Sequence, residues 1–188
     1  MVSLTKKQID SALQKLASSI DKYLWLQDNF SKFDVSHDRT YQKKFNGFYK
    51  VRRNKGWRMW FYKIFEMKKK WKTDFNSVLL IIYLRTKKHF EVSFASKMAA
   101  TFDPNSPVID SVVLKNLGLK PVTSKTKNKW KEAGILHKKI VRFYNNFLAS
   151  EKGKYLIAQF KKRYPNKKIS KVKMLDFVLW QTRNYSPQ

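Results

Sequence analysis

The sequence predicts an all-α protein, and three observations carry that expectation. Apolar residues recur at spacings of three and four along most of the chain, the repeat of a helix with one buried face. Residues suited to capping helices, Thr5, Asp74, Ser93, Asp110 and Ser170, stand ahead of several of these runs. No run alternates apolar and polar positions cleanly enough to read as a strand.

Taken in order, Thr5 and Gln8 form a capping-box pair ahead of Ile9, Leu13, Leu16, Ile20 and Leu24, so one helix is expected over residues 6–30. Residues 31–40 are polar and read as a loop. Phe45, Phe48 and Tyr49 return at helical spacing over 41–50, where Gly47 weakens the preference. Trp57, Trp60, Phe61, Ile64 and Phe65 form an aromatic stripe, and Lys68, Lys69 and Lys70 suit the negative end of its helix. Asp74 caps a helix with the face Phe75, Val78, Leu79 and Ile82.

Ser93 caps the short helix that carries Lys97, and Pro104 and Pro107 stiffen the connector after it. Asp110 caps Ser111–Leu117, which Gly118 stops. Residues 120–129 are a basic linker. A helix over 130–148 follows, with Trp130, Leu136, Ile140, Phe143, Tyr144 and Phe147 inward, and with Gly134 marking its beginning or a break. Tyr155, Ile157 and Phe160 define a short helix over 154–163, ended by Pro165. Ser170 caps a last helix over 171–183, with Val172, Leu175, Val178 and Leu179 inward and Asp176 and Phe177 off that face.

The chain has 188 residues, 43% of them apolar, enough to bury a core in one domain or in two small helical lobes sharing a cleft. The whole of 1–188 is expected to be one all-α domain, with an N-terminal helical extension over 1–40 and a hairpin and catalytic region over 74–119. Lys and Arg number 41 against 13 Asp and Glu, a net charge of +28 that attracts polyanions. With 15% aromatic residues the polyanion expected is nucleic acid, in salt-sensitive binding. The absence of cysteine removes disulfides, thiol catalysis and a cysteine-ligated iron–sulfur cluster. His37, His89 and His137 are scattered and do not make a metal site, so no cofactor is called for. The N-terminus lacks a signal-peptide pattern, and the longest apolar run, 78–84, is too short to span a bilayer. A cytoplasmic monomer with no membrane partner is the expectation.

Chemistry concentrates in residues 90–119, FEVSFASKMAATFDPNSPVIDSVVLKNLGL, which set one lysine and one carboxylate on short helices. A lysine is a nucleophile only when neutral, and Phe94, Met98, Phe102 and the cationic field all favour the neutral form of Lys97. In a chain this rich in lysine, one near a helix start is also the chance expectation. By default an aspartate before a helix is a cap, and that reading of Asp110 is compatible with a chemical one.

These residues resemble the helix-hairpin-helix base-excision DNA glycosylase superfamily. Its signature ends in valine–aspartate, two residues, valine, and then leucine–glycine–leucine; the counterparts are Ile109, Asp110, Val113, Leu117, Gly118 and Leu119. Two departures stand beside the match: residues 89–95 contain no glycine where the family hairpin is glycine-rich, and the step from Lys97 to Asp110 is shorter than usual. The resemblance implies a helix-hairpin-helix fold in which the cleft receives a base flipped out of the duplex. Asp110 would stabilise the cationic sugar, and Lys97 would attack C1′ and form a Schiff base, giving lyase activity as well. Asn54 would wedge into the gap in the duplex, and Trp57, Asp176, Phe177 and Trp180 would line the base pocket. Arg52, Arg53, Lys55, Lys87, Lys88, Ser93, Ser96, Lys125 and Lys127 would meet the DNA backbone.

The function expected is therefore a DNA glycosylase that excises a damaged or modified base, in repair or against a hypermodified base of invading phage DNA, and leaves an abasic site. The alternative is a basic nucleic-acid-binding protein on a related scaffold, without chemistry. A membrane-active cationic protein ranks last, because the aromatics are spread over many helices instead of concentrated on one amphipathic surface helix.

Overall fold

The computed structural model describes residues 4–71 and 73–182, and among these it contains ten α-helices and no strand. They are α1 (Lys6–Leu13), α2 (Ala17–Phe30), α3 (Arg39–Tyr49), α4 (Lys55–Lys68) and α5 (Phe75–Arg85), then α6 (Val92–Phe102), α7 (Ser111–Leu117), α8 (Lys129–Ala149), α9 (Glu151–Arg163) and α10 (Lys171–Gln181). The chain divides into two compact units: Ser19–Phe102 is continuous, whereas the other joins Met1–Ser18 to Asp103–Gln188. Among the described residues no helix is long and apolar enough to cross a membrane.

The continuous unit is built on aromatic rings. Phe65 sits at its centre, with ring centroids 4.9 Å from Phe30, 5.2 Å from Phe45 and 5.4 Å from Phe102, the last two edge to face. Such pairs each add about 0.5–1.5 kcal/mol beyond the area they bury. The buried Tyr62 hydroxyl donates to Asn46 Oδ1 at 2.8 Å. The end of α4 pins the loop before α3: Glu66 accepts the Val35 amide at 2.7 Å, and Lys69 Nζ donates to the Phe33 carbonyl at 2.5 Å. Within this unit α5 and α6 pack closely as a helical hairpin, with α4 against α5.

The other unit is organised around α10, which touches α1, α7, α8 and α9. A helix surrounded by four others has no solvent face, and residues 172–179 are buried without interruption. Hydroxyls fasten α1 to this half of the chain: Tyr155 bonds the Asp10 carboxylate at 2.9 Å, and Tyr164 donates to the Leu13 carbonyl at 2.6 Å. Ser150 ends α8 and caps α9, its hydroxyl accepting the Gly153 amide at 3.2 Å. Gly153 permits this tight junction, because a Cβ there would lie 2.0 Å from the Phe147 carbonyl oxygen.

The helices start largely where their caps predict: Thr5 with Gln8, Asp74, Asp110 and Ser170 all accept the expected amides. Several boundaries differ for tertiary reasons. Residues 6–30 form two helices, since i→i+3 bonds from Lys15 and Leu16 tighten the chain after α1 and the unit boundary falls in the first turn of α2. The core of α2 is Ile20, Tyr23 and Leu26, and Leu24 is half-buried. The described part of the expected extension, residues 4–40, is divided between the two units after Ser18, and Leu4, Ile9, Leu16, Ile20 and Val35 in it are buried. The region 74–119 is shared between the two units instead of forming one piece. α6 opens at Val92, so Ser93 lies inside its first turn and does not cap it. α8 passes through Gly134 unbroken, and α9 starts at Glu151. Trp60 and Trp130, expected inward, are each 39% exposed.

Candidate functional site

Asp110 is positioned by what precedes and follows it. Pro107, Val108 and Ile109 are buried and anchor the chain, and Asp110 then takes the extended backbone of an N-cap (φ −139°, ψ 174°). Its Oδ1 accepts the amides of Val112 at 3.0 Å and Val113 at 2.9 Å, while the structure gives Oδ2 no hydrogen-bond partner among the described residues. The carboxylate is half-buried, rigid, and set at the positive end of α7. α7 is locked in turn: Asn116 Nδ2 donates to the Leu179 carbonyl at 2.8 Å and to Thr182 Oγ1 at 3.1 Å, tying it to α10.

Electrostatically, Asp110 belongs with a buried polar cluster from α8 and α10. Tyr144 donates to Asp176 Oδ1 at 2.6 Å, and Lys173 Nζ donates to Asp176 Oδ2 at 2.5 Å. Lys173 and Asp176 are completely buried, and Lys173 Nζ lies 5.3 Å from the Trp180 ring. Burial pushes the Asp176 carboxyl up from its ordinary value, Lys173 and the hydrogen bonds oppose this, and the charge of Asp110 adds to the rise. Burial also raises the Tyr144 phenol well above its ordinary value, with Asp176 and then Asp110 contributing in the same direction. Asp176 and Phe177, expected off the inward face, are therefore core residues, and the side chain of Trp180 is half-buried. Sequence reasoning gave Lys173 and Tyr144 no part in a buried polar cluster. The signal available was a lysine three positions before an aspartate on an otherwise apolar helix, where both must be buried together.

Lys97 lies in the continuous unit, on α6, with only 7% of its surface exposed. Its Nζ is 5.1 Å from the centroid of Phe94. Phe94 is 4.9 Å from Trp57, and the Arg53 guanidinium stands over both rings, at 5.4 Å and 6.0 Å. Arg53 pairs with the buried Glu91 carboxylate at 2.7 Å, so the residue expected on phosphate is first a structural partner of Glu91. Trp57 is 6% exposed and packs in the core, and its Nε1 has no hydrogen-bond partner among the described residues. Asn54 is exposed; its Oδ1 caps α4 by accepting the Trp57 amide at 2.9 Å. Arg52 and Lys55 beside it are exposed.

The hairpin between α5 and α6 is made without glycine. Lys87 and Lys88 take the left-handed conformation themselves, at φ 53° and 61°, and both side chains are exposed. Ser96 is fully buried with its hydroxyl donating to the Ser93 carbonyl, which removes it from the backbone-contacting set. The Ala95 amide is bonded to the Glu91 carbonyl, and a buried carboxylate already stands at this helix start, so the opening of α6 disfavours a phosphate. Ser93 is half-buried, and Lys125 and Lys127 are exposed in a loop closed by the Thr123 amide on Thr126 Oγ1 at 3.0 Å. Among the described residues no group of three or more His, Asp or Glu side chains could hold a metal ion.

Comparison with models of known families, with characterised proteins and with solved structures finds no match for this chain.

Proposed function

We propose that this protein is a DNA glycosylase that acts on a damaged or modified base, including a hypermodified phage base, and leaves an abasic site. The observation that carries the reading is Asp110: a half-buried carboxylate fixed by two backbone amides, in a chain of net charge +28. In glycosidic cleavage the C1′–N bond breaks, its electron pair leaves with the base, and positive charge develops on the sugar. A carboxylate held rigid beforehand stabilises that charge without reorganising as it appears, usually the largest catalytic contribution. The new bond at C1′ comes from water in a monofunctional enzyme or from an amine in a lyase, and the second route passes through a Schiff base. That route needs Lys97 Nζ as the free amine.

The test is to incubate the protein with duplexes carrying different damaged or modified bases and to measure abasic sites. Asp110→Asn is expected to abolish base release; Lys97→Gln and borohydride trapping separate a lyase from a monofunctional enzyme. Base release unchanged in both variants sinks the catalytic assignment. A second reading, a nucleic-acid-binding protein without chemistry, draws on the fact that Asp110 already has a complete structural role as the cap of α7.

A further inference from the structure

α8 carries a second stripe beside the one it buries. Ala133, Leu136, Ile140 and Tyr144 face the core, while Lys139, Arg142, Phe143, Asn146 and Phe147 follow one another at helical spacing on an adjoining face. Together with Leu117 and Leu119 at the end of α7 this face lines a groove of about 460 Å³. Lys139 and Arg142 are exposed at it, among the described residues no acidic side chain lines it, and Phe143 and Phe147 lie nearly parallel (21°, centroids 6.1 Å apart) and half-buried. Both rings belonged to the expected core. Their partial exposure gives the groove flat apolar walls next to two cations.

We infer that this groove binds an unpaired nucleotide of a single-stranded nucleic acid. The base stacks on Phe143, the flanking phosphates meet Lys139 and Arg142, and the Asn146 amide reaches the base edge. Three features choose this occupant. A flat ring wall with cations at its side matches a base attached to phosphates, because every base has a face to stack and a charge to neutralise. A paired base inside a duplex cannot present that face, so the strand must be single or locally opened. A second copy of this chain would bring another +28 toward the same two cations. The inference rests only on the nucleic-acid part of the proposed function and is independent of Asp110.

Fluorescence anisotropy with a labelled thymine oligonucleotide of about twelve nucleotides tests it, beside an equally long strand of abasic units. Phe143→Leu, which keeps the apolar volume, is expected to weaken the thymine strand about ten-fold and leave the abasic strand unchanged. K139Q/R142Q is expected to weaken both strands and flatten the salt dependence by about 0.7 for each phosphate no longer neutralised. Asn146 is exposed, so N146E leaves the core intact and is expected to repel both strands. Equal affinity of wild type and Phe143→Leu for the thymine strand overturns the inference. So does an equal loss on the abasic strand, or a Phe143-dependent dimer in sedimentation. Thymine-strand binding is expected to be unchanged in Asp110→Asn. A protein that releases no base yet binds the strand through Phe143 refutes the glycosylase and keeps the groove.

Discussion

Replacing Lys87 and Lys88 together by glycine is expected to make the protein more stable and, on the proposed function, to weaken its binding to DNA. Both lysines hold left-handed backbone, at φ 53° and 61°, in the turn that joins α5 to α6. An L-residue with a Cβ pays about 1 kcal/mol in that conformation. Glycine removes this strain but loosens the unfolded chain, which returns about 0.5 kcal/mol. The net gain is thus about 0.5 kcal/mol per site, about 1 kcal/mol for both, or a rise of roughly 2–4 °C in Tm for a chain this long. The same change deletes two exposed charges, so the logarithmic salt slope of duplex binding falls by about 1.8 if each lysine neutralises one phosphate. Urea and thermal unfolding measure the first effect and salt titration of duplex affinity the second. K87A/K88A serves as the control, losing the same slope without the gain in stability. A glycine variant less stable than wild type refutes the strain argument, and an unchanged salt slope refutes the phosphate contacts.

Gly153→Ala is expected to destabilise by about 2–3 kcal/mol in urea unfolding, because the new Cβ meets backbone at Phe147 and Leu148, where no side chain can swing aside. Lys173→Met leaves the Asp176 carboxylate buried without its cation and should cost about 3–5 kcal/mol, whereas K173M/D176L with Tyr144→Phe recovers most of that stability. Asp74, held below its ordinary pKa chiefly by the Ser77 hydroxyl, favours the folded state above the unfolded-state pKa and loses that contribution as pH falls through the folded one. Asp74→Ala should therefore cost about 1 kcal/mol near neutral pH and progressively less in acid, read from unfolding curves across that range.

Where a residue's role is local, it was readable from the chain. Asp110, with two amides in reach and Gly118 closing the helix it opens, is a cap whatever surrounds it, and so is Asp74. The face of α5 was equally legible, since Phe75, Val78, Leu79 and Ile82 pack on one side only. Roles set by partners distant in sequence were not. Nothing near Leu13 or Leu16 announces a break, because their spacing continues into α2; the break arises where the chain passes from one unit into the other. α10 misled for the opposite reason: its inward face was drawn through Val172, Leu175, Val178 and Leu179 alone, with Asp176 assigned to a pocket, yet Lys173 and Tyr144 satisfy that carboxylate in the core. Phe143 and Phe147 have the spacing of core residues, yet both line the groove beside Leu117 and Leu119 and stay half-buried. The left-handed hairpin was invisible because its usual marker, glycine, is replaced by lysine.

The order in which the ribosome releases this chain gives its two units different histories. Residues 19–102 emerge as one uninterrupted stretch and can close on themselves while the rest is still being made. α1 cannot: the hydroxyls that receive it, on Tyr155 and Tyr164, are separated from Asp10 and Leu13 by 145 and 151 positions. Until α9 and α10 are synthesised, Ile9, Leu13 and Leu16 lack the helices that cover them, so α1 carries a sticky apolar ridge until those helices emerge. A chain cut short before α9 would therefore leave that ridge permanently uncovered and go to aggregates instead of a smaller working protein.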